Sequence, residues 1–150
     1  MNIVDFQTRP DICRYMVGLL PDGVRTVLEP TPGAGNLVAA LCGHDVTAPV
    51  DFWDAGGRYD AIVMNPPFTP MKEGYRILER CLGMSDVVVA LMPWLTIINS
   101  QRRTGMVFDY GLRSVTHLPR NAFPGSRVQT CILEMRKGWS AGCTLGVYPY

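Results

Sequence analysis

Thr26-Val27-Leu28-Glu29-Pro30-Thr31-Pro32-Gly33-Ala34-Gly35-Asn36-Leu37 and Tyr59-Asp60-Ala61-Ile62-Val63-Met64-Asn65-Pro66-Pro67-Phe68 are the two stretches whose reading decides the fold. Each is a short apolar strand that runs straight into an unusual loop, and the first loop runs on into a helix at about residues 36–41. Working outward, Pro10 opens a helix predicted over residues 10–20, with Ile12, Tyr15, Met16 and Leu19 at helical spacing. A second strand is expected at 45–48 and a helix at 71–82. The most hydrophobic strand, 86–92, belongs at the sheet centre. A further helix at about 98–110 and strands at 115–118, 129–135 and 144–147 complete the chain. Strands alternating with helices through residue 92 predict an α/β fold, a doubly wound, mostly parallel sheet whose last strands can pair antiparallel. In such sheets ligands sit beyond the strand carboxyl ends, where both loops fall.

The 150 residues carry 14 basic and 13 acidic side chains, and 47% are apolar. That composition excludes disorder and describes one ordinary domain. No apolar run approaches the ~18 residues of a membrane span, and the amino-terminal residues have no secretory pattern, so a cytoplasmic protein without a membrane partner is expected. Cys13, Cys42, Cys81, Cys131 and Cys143 form no C-x-x-C pair and read as reduced thiols, with no metal expected. The net charge of +1 hides a division. Residues 1–65 hold four Arg against eight Asp/Glu, and residues 66–150 hold ten Lys/Arg against five Asp/Glu. Arginine suits phosphate recognition through its planar fork.

At the first loop, Gly33 and Gly35 let backbone approach a ligand with no Cβ in the way. A dinucleotide site wants a further glycine at position 38, which here is Val38, and Glu29 would repel a phosphate. A nicotinamide oxidoreductase is thereby disfavoured. A ligand bearing a sulfonium and an ammonium, such as S-adenosylmethionine, fits better, although Gly-x-Gly taken alone is also a plain turn. At the second loop, successive prolines hold the backbone rigid. The Asn65 side-chain oxygen and the Pro66 carbonyl can each accept one N–H of a planar exocyclic amine, and Phe68 offers a face for stacking. Catalysis would then be positioning by preorganised acceptors, with no shifted general base required.

Together these residues resemble the S-adenosylmethionine-dependent amino-methyltransferases, most closely the DNA adenine-N6 methyltransferases whose cofactor loop precedes the catalytic loop. The resemblance covers much of the chain and implies a single Rossmann-like class I domain. Phe6-Gln7-Thr8-Arg9-Pro10 is similar to the family's F-x-T-P element, which closes over the methionine end of the cofactor, with Arg9 as a departure. By the same resemblance Phe6, Thr8, Glu29, Pro30, Gly33, Gly35 and Asn36 are cofactor-binding, and Asn65, Pro66, Pro67 and Phe68 form the catalytic tetrapeptide. Asn121-Ala122-Phe123-Pro124-Gly125-Ser126 is similar to a later element, making Phe123 the aromatic opposite Phe68 across a flipped adenine.

About thirty residues separate Gly35 from Asn65, fewer than the family usually carries. Asp51 and Phe52 are therefore expected near the adenosine, with the helix between the second and third strands missing. Nor does a separate target-recognition region have room, although specific DNA modules commonly bury at least ~600 Å². Residues 1–150 read as one methyltransferase domain that recognises little sequence, dimerises, or leaves recognition to a separate subunit. Arg102, Arg103, Arg120 and Arg127 would contact phosphates. Nucleic acid, with DNA favoured, is the expected partner. The alternatives are methylation of RNA adenine or protein glutamine, or a non-catalytic donor-binding subunit.

Overall fold

A computed structural model describes residues 7–149. Its elements are α1 (Pro10–Gly18), β1 (Thr26–Leu28), α2 (Asn36–Ala40), β2 (Asp45–Thr47), β3 (Ala61–Met64), α3 (Met71–Leu82), β4 (Val87–Pro93), α4 (Leu95–Ile98), α5 (Gln101–Tyr110), β5 (Leu112–His117), β6 (Thr130–Arg136) and β7 (Thr144–Val147). The seven strands form one sheet in the order β2-β1-β3-β4-β6-β5-β7. Only β6 runs against the others; it pairs antiparallel with β4 and β5. The expected doubly wound, mostly parallel sheet is observed, and β4 lies at its centre.

Alternation along the strands explains the two cores. On β3, Ile62 and Met64 join one apolar cluster with Ile77, Leu78 and Cys81 of α3 and Val107 of α5. Ala61 and Val63 join the other, with Ile12, Cys13 and Met16 of α1 and Leu37 of α2. Successive side chains point to opposite faces, so a strand buried on both sides must be apolar throughout. All four residues of β3 are buried. Cys13, Cys81 and Cys131 are buried thiols, whereas Cys42 and Cys143 are exposed; all five are free. Among the described residues no helix is long and apolar enough to cross a membrane.

Several boundaries differ from the sequence reading. α1 ends at Gly18, because the Leu19 and Leu20 N–H groups turn back to the Met16 and Val17 carbonyls ahead of Pro21. The helix expected at 98–110 is two helices, broken at Asn99-Ser100. There Ser100 leaves the helical conformation and its side chain accepts from the Arg103 N–H, capping α5. β5 begins at Leu112 and carries an irregularity between Leu112 and Ser114. As expected, the β2–β3 connection holds no α-helix, only a 3-10 turn at Phe52–Asp54.

The strand order reverses between β1 and β3: the chain leaves β1 toward β2 on one side and leaves β3 toward β4 on the other. A crevice opens at such a reversal, beyond the carboxyl ends. It places residues 29–35 and 65–68 side by side.

The junction of α5 and β5 depends on Gly111, whose φ is +135°, and a Cβ there would lie 2.0 Å from the Arg136 carbonyl oxygen. Gly111→Ala is expected to destabilise the fold by about 3 kcal/mol or more, read as a lowered midpoint in chemical denaturation.

Candidate active site

The Glu29 backbone N–H extends the β1–β2 ladder to the Thr47 carbonyl at 2.9 Å. Its side chain is 1% exposed, and Oε1 accepts the Thr31 N–H at 2.8 Å. Burial pushes the carboxyl up to about 8, against the pull of the Thr31 hydrogen bonds. Among the described residues no Lys or Arg forms an ion pair with it. Pro30 is buried, and the chain then turns through Gly33 and Gly35, whose φ values are +53° and +90°. A Cβ at Gly35 would meet nothing within 4 Å, so open space borders the turn. The buried, unpaired Glu29 carboxyl that opens the loop is a group whose ionisation a nearby cation would favour.

Thr8 ties this loop to the second one. It is 3% exposed and lies just ahead of α1. Its carbonyl accepts the Asn36 side-chain amide at 2.8 Å, and its hydroxyl accepts the amide N–H of Asn65. With its nitrogen committed to Thr8, the Asn65 amide is held in one orientation. Among the described residues no donor reaches its oxygen. Pro66 is buried and Pro67 is exposed. Phe68 meets Phe123 edge-on, with ring centroids 6.4 Å apart and planes at 77°. The two aromatics assigned to opposite faces of one base are thus neighbours, although they are far apart in sequence. Phe6 lies outside the described residues.

The remaining expected site residues have the following partners. The Asp51 carboxylate accepts the Trp53 N–H at 3.0 Å, capping its own turn. Phe52 is 5% exposed within the core, with the Arg80 guanidinium over its ring at 5.1 Å. Phe52 docks the β2–β3 connection on α3, because a connection lacking a helix needs its own anchor. Arg103 is turned into the protein: its guanidinium lies 3.7 Å from the Tyr75 ring centroid and donates to the Thr96 and Leu95 carbonyls, each at 3.3 Å. α4 is a single short helix whose carbonyls need donors, and Arg103 supplies them. Arg102 pairs with Glu79 of α3. On the loop that carries Phe123, Arg120 donates to the Ser126 carbonyl at 3.3 Å, and Arg127 is exposed.

Gly74 was not anticipated as a site residue. A Cβ at Gly74 would stand 2.9 Å from the Pro67 carbonyl oxygen and 3.7 Å from the Pro66 ring, so α3 seats the proline turn only because this position is bare. An isolated glycine inside an amphipathic helix was the available signal. His117, the last residue of β5, accepts the Trp94 indole N–H on Nδ1 at 2.9 Å.

No family model matches the chain, and no curated protein matches it. Solved structures do. A Listeria monocytogenes protein assigned to the class I S-adenosylmethionine-dependent methyltransferases is similar over 98% of this chain and 67% of its own, with a TM-score of 0.74 and 13% identity. The M protein of the type I restriction enzyme EcoKI is similar over 95% and 46%, at 0.70 and 13%. A type I restriction-modification methyltransferase subunit from Streptococcus thermophilus is similar over 89% and 45%, at 0.69 and 14%. The chain spans less than half the length of the two restriction-system proteins. Its fold is that of the class I S-adenosylmethionine-dependent methyltransferases.

Two outcomes test this geometry. The unfolded chain releases the Glu29 proton near pH 4.5 and the folded chain near pH 8, so stability is lost as pH rises between those values. Glu29→Gln is therefore expected to melt like the parent at pH 4 and to be more stable at pH 9, by on the order of a few kcal/mol. Gly74→Ala is expected to displace the proline turn while leaving the α3 helix intact, seen as shifted amide resonances at residues 65–68 with unchanged far-ultraviolet circular dichroism.

Proposed function

We propose that this chain transfers a methyl group from S-adenosylmethionine to the exocyclic N6 amine of adenine in nucleic acid, with DNA as the favoured substrate. The observation that carries the proposal is the pair of Thr8 hydrogen bonds, which join the glycine loop and the Asn65 tetrapeptide into one site. Glu29, Gly33, Gly35 and Asn36 would hold the donor, together with Thr8. When bound there, the donor supplies a methyl group on a positively charged sulfur, a carbon open to attack by an amine. The chain's own contribution is geometric. The Asn65 oxygen and the Pro66 carbonyl accept the two N–H groups of the amine and draw its nitrogen toward a tetrahedral shape, freeing the lone pair. A methylated nitrogen would be acidic enough to pass its proton to water, so no basic side chain is needed there. Held acceptors cost no reorganisation at the moment of reaction.

A base sandwiched between two rings needs centroids about 7 Å apart, twice the ~3.5 Å contact distance. At 6.4 Å and edge-on, Phe68 and Phe123 fill each other's place. One ring must swing as the flipped base enters, and half-buried Phe68 is freer to do so than Phe123, which is 3% exposed. DNA is favoured because two of the similar structures belong to restriction-modification systems. Arg120 and Arg127, beside Phe123, are the proposed phosphate contacts. A separate subunit or a second copy would supply target recognition.

Asn65→Ala is expected to reduce methyl transfer by about 10³-fold while changing the donor dissociation constant less than about threefold. The assay offers labelled donor with DNA, RNA and protein extract separately. Transfer to protein alone would overturn the nucleic-acid reading, and donor binding without transfer to any acceptor would overturn the catalytic one.

A further inference from the structure

Since Thr8 joins the two loops, whatever fixes Thr8 fixes the site. α1 starts immediately after it, and the N-cap residue Arg9 makes no side-chain cap. The apolar face of α1 packs Ile12, Cys13 and Met16 onto the sheet. Apolar packing is non-directional, so directional contacts refine where the helix sits: Tyr15 meets the Thr116 hydroxyl of β5 at 2.8 Å, and nearer Thr8 the contact is made by Asp11.

Arg9 forks onto the Asp11 carboxylate, Nε to Oδ1 at 3.1 Å and Nη2 to Oδ2 at 2.9 Å. That pair lies within one turn of chain and moves with it, so it carries no information about where α1 sits on the sheet. The Tyr148 hydroxyl does, because it donates to Asp11 Oδ2 at 2.9 Å from the residue just after β7. Tyr148 is itself held firmly. Its backbone N–H donates to the His117 carbonyl of β5 at 2.8 Å, and its ring stands edge-on to Tyr15 of α1 at 5.2 Å. Hydrogen bonding from Arg9 holds the Asp11 carboxyl down to about 2, so Tyr148 faces a charged acceptor throughout the working pH range. This also accounts for Arg9, the residue by which the segment departs from F-x-T-P.

We propose that Tyr148 is a positioning residue for the methyl-transfer site: by holding Asp11 from the sheet edge, it sets where Thr8 presents its hydroxyl to Asn65. The inference rests on the methyltransferase reading above. Transfer is affected more than donor binding, because the donor loop, although Asn36 also bonds the Thr8 carbonyl, keeps its own backbone bonds at Glu29 and Gly35. Thr8, by contrast, is the partner that orients the Asn65 amide.

Tyr148→Phe keeps the ring and removes only the hydroxyl. Its kcat is expected to fall about tenfold, with the donor dissociation constant changed less than about threefold. In a Thr8→Val background the same substitution is expected to cost nothing further, since the route through the Thr8 hydroxyl is already cut. Equal losses in both backgrounds would overturn the proposal. A second measurement needs neither turnover nor the Thr8 variant: the Asn65 side-chain amide resonance is expected to shift in Tyr148→Phe, and an unmoved resonance would also overturn it. Should the parent protein transfer no methyl to any acceptor, the functional reading fails, and the resonance alone then decides whether Tyr148 sets Asn65.

Discussion

A threonine buried to 3% exposure that offers a hydroxyl to one asparagine and a carbonyl to another is costly to place unless both bonds are made. Thr8 makes both, and the rest of the site follows from that constraint. Asn36 opens the short helix after the glycine turn, and Asn65 closes β3. Neither loop could move independently without leaving a polar group of Thr8 unpaired in the interior. The parallel pairing of β1 and β3 brings the loops to the same edge; Thr8 converts that proximity into fixed geometry. Its reach extends across the sheet, because the segment that carries it is tied through Asp11 to a tyrosine beyond the last strand.

The electrostatics divide in the same place. Glu29 is driven toward its neutral form by burial, and no cation of the chain compensates it among the described residues. Keeping that carboxyl buried costs stability at neutral and alkaline pH. The arginines of the second half tell a different story. Arg80 and Arg103 spend their guanidinium groups on carbonyls and aromatic rings within the fold, where a planar weakly hydrated cation packs well. On the loop around Phe123, Arg127 faces outward.

What could be read in advance was carried by residues whose backbone is special. Gly33, Gly35, Pro66 and Pro67 restrict or free φ wherever they occur, so the two loops were legible, and so was the alternation that made β3 and β4 central. The packing of Phe52 was not, because a short connection after β2 leaves its direction to whatever it meets, here Arg80 of α3. The break between α4 and α5 escaped notice because its periodicity is continuous, and a single serine cap outweighs it. Gly74 was visible as an oddity in a helix, but its meaning depends on Pro67, which only packing brings near.

By itself the sequence determined the α/β alternation, the fully apolar strands and the two rigid or open loops, since these follow from side-chain periodicity and local backbone sterics. Tertiary structure alone decided that Thr8 would bridge those loops, that Phe68 and Phe123 would meet, and that Asp11 would be held by Tyr148. Each of these is a directional contact between segments far apart in the chain. Nothing in local propensity encodes such a contact, because its geometry exists only after the sheet has set the distances.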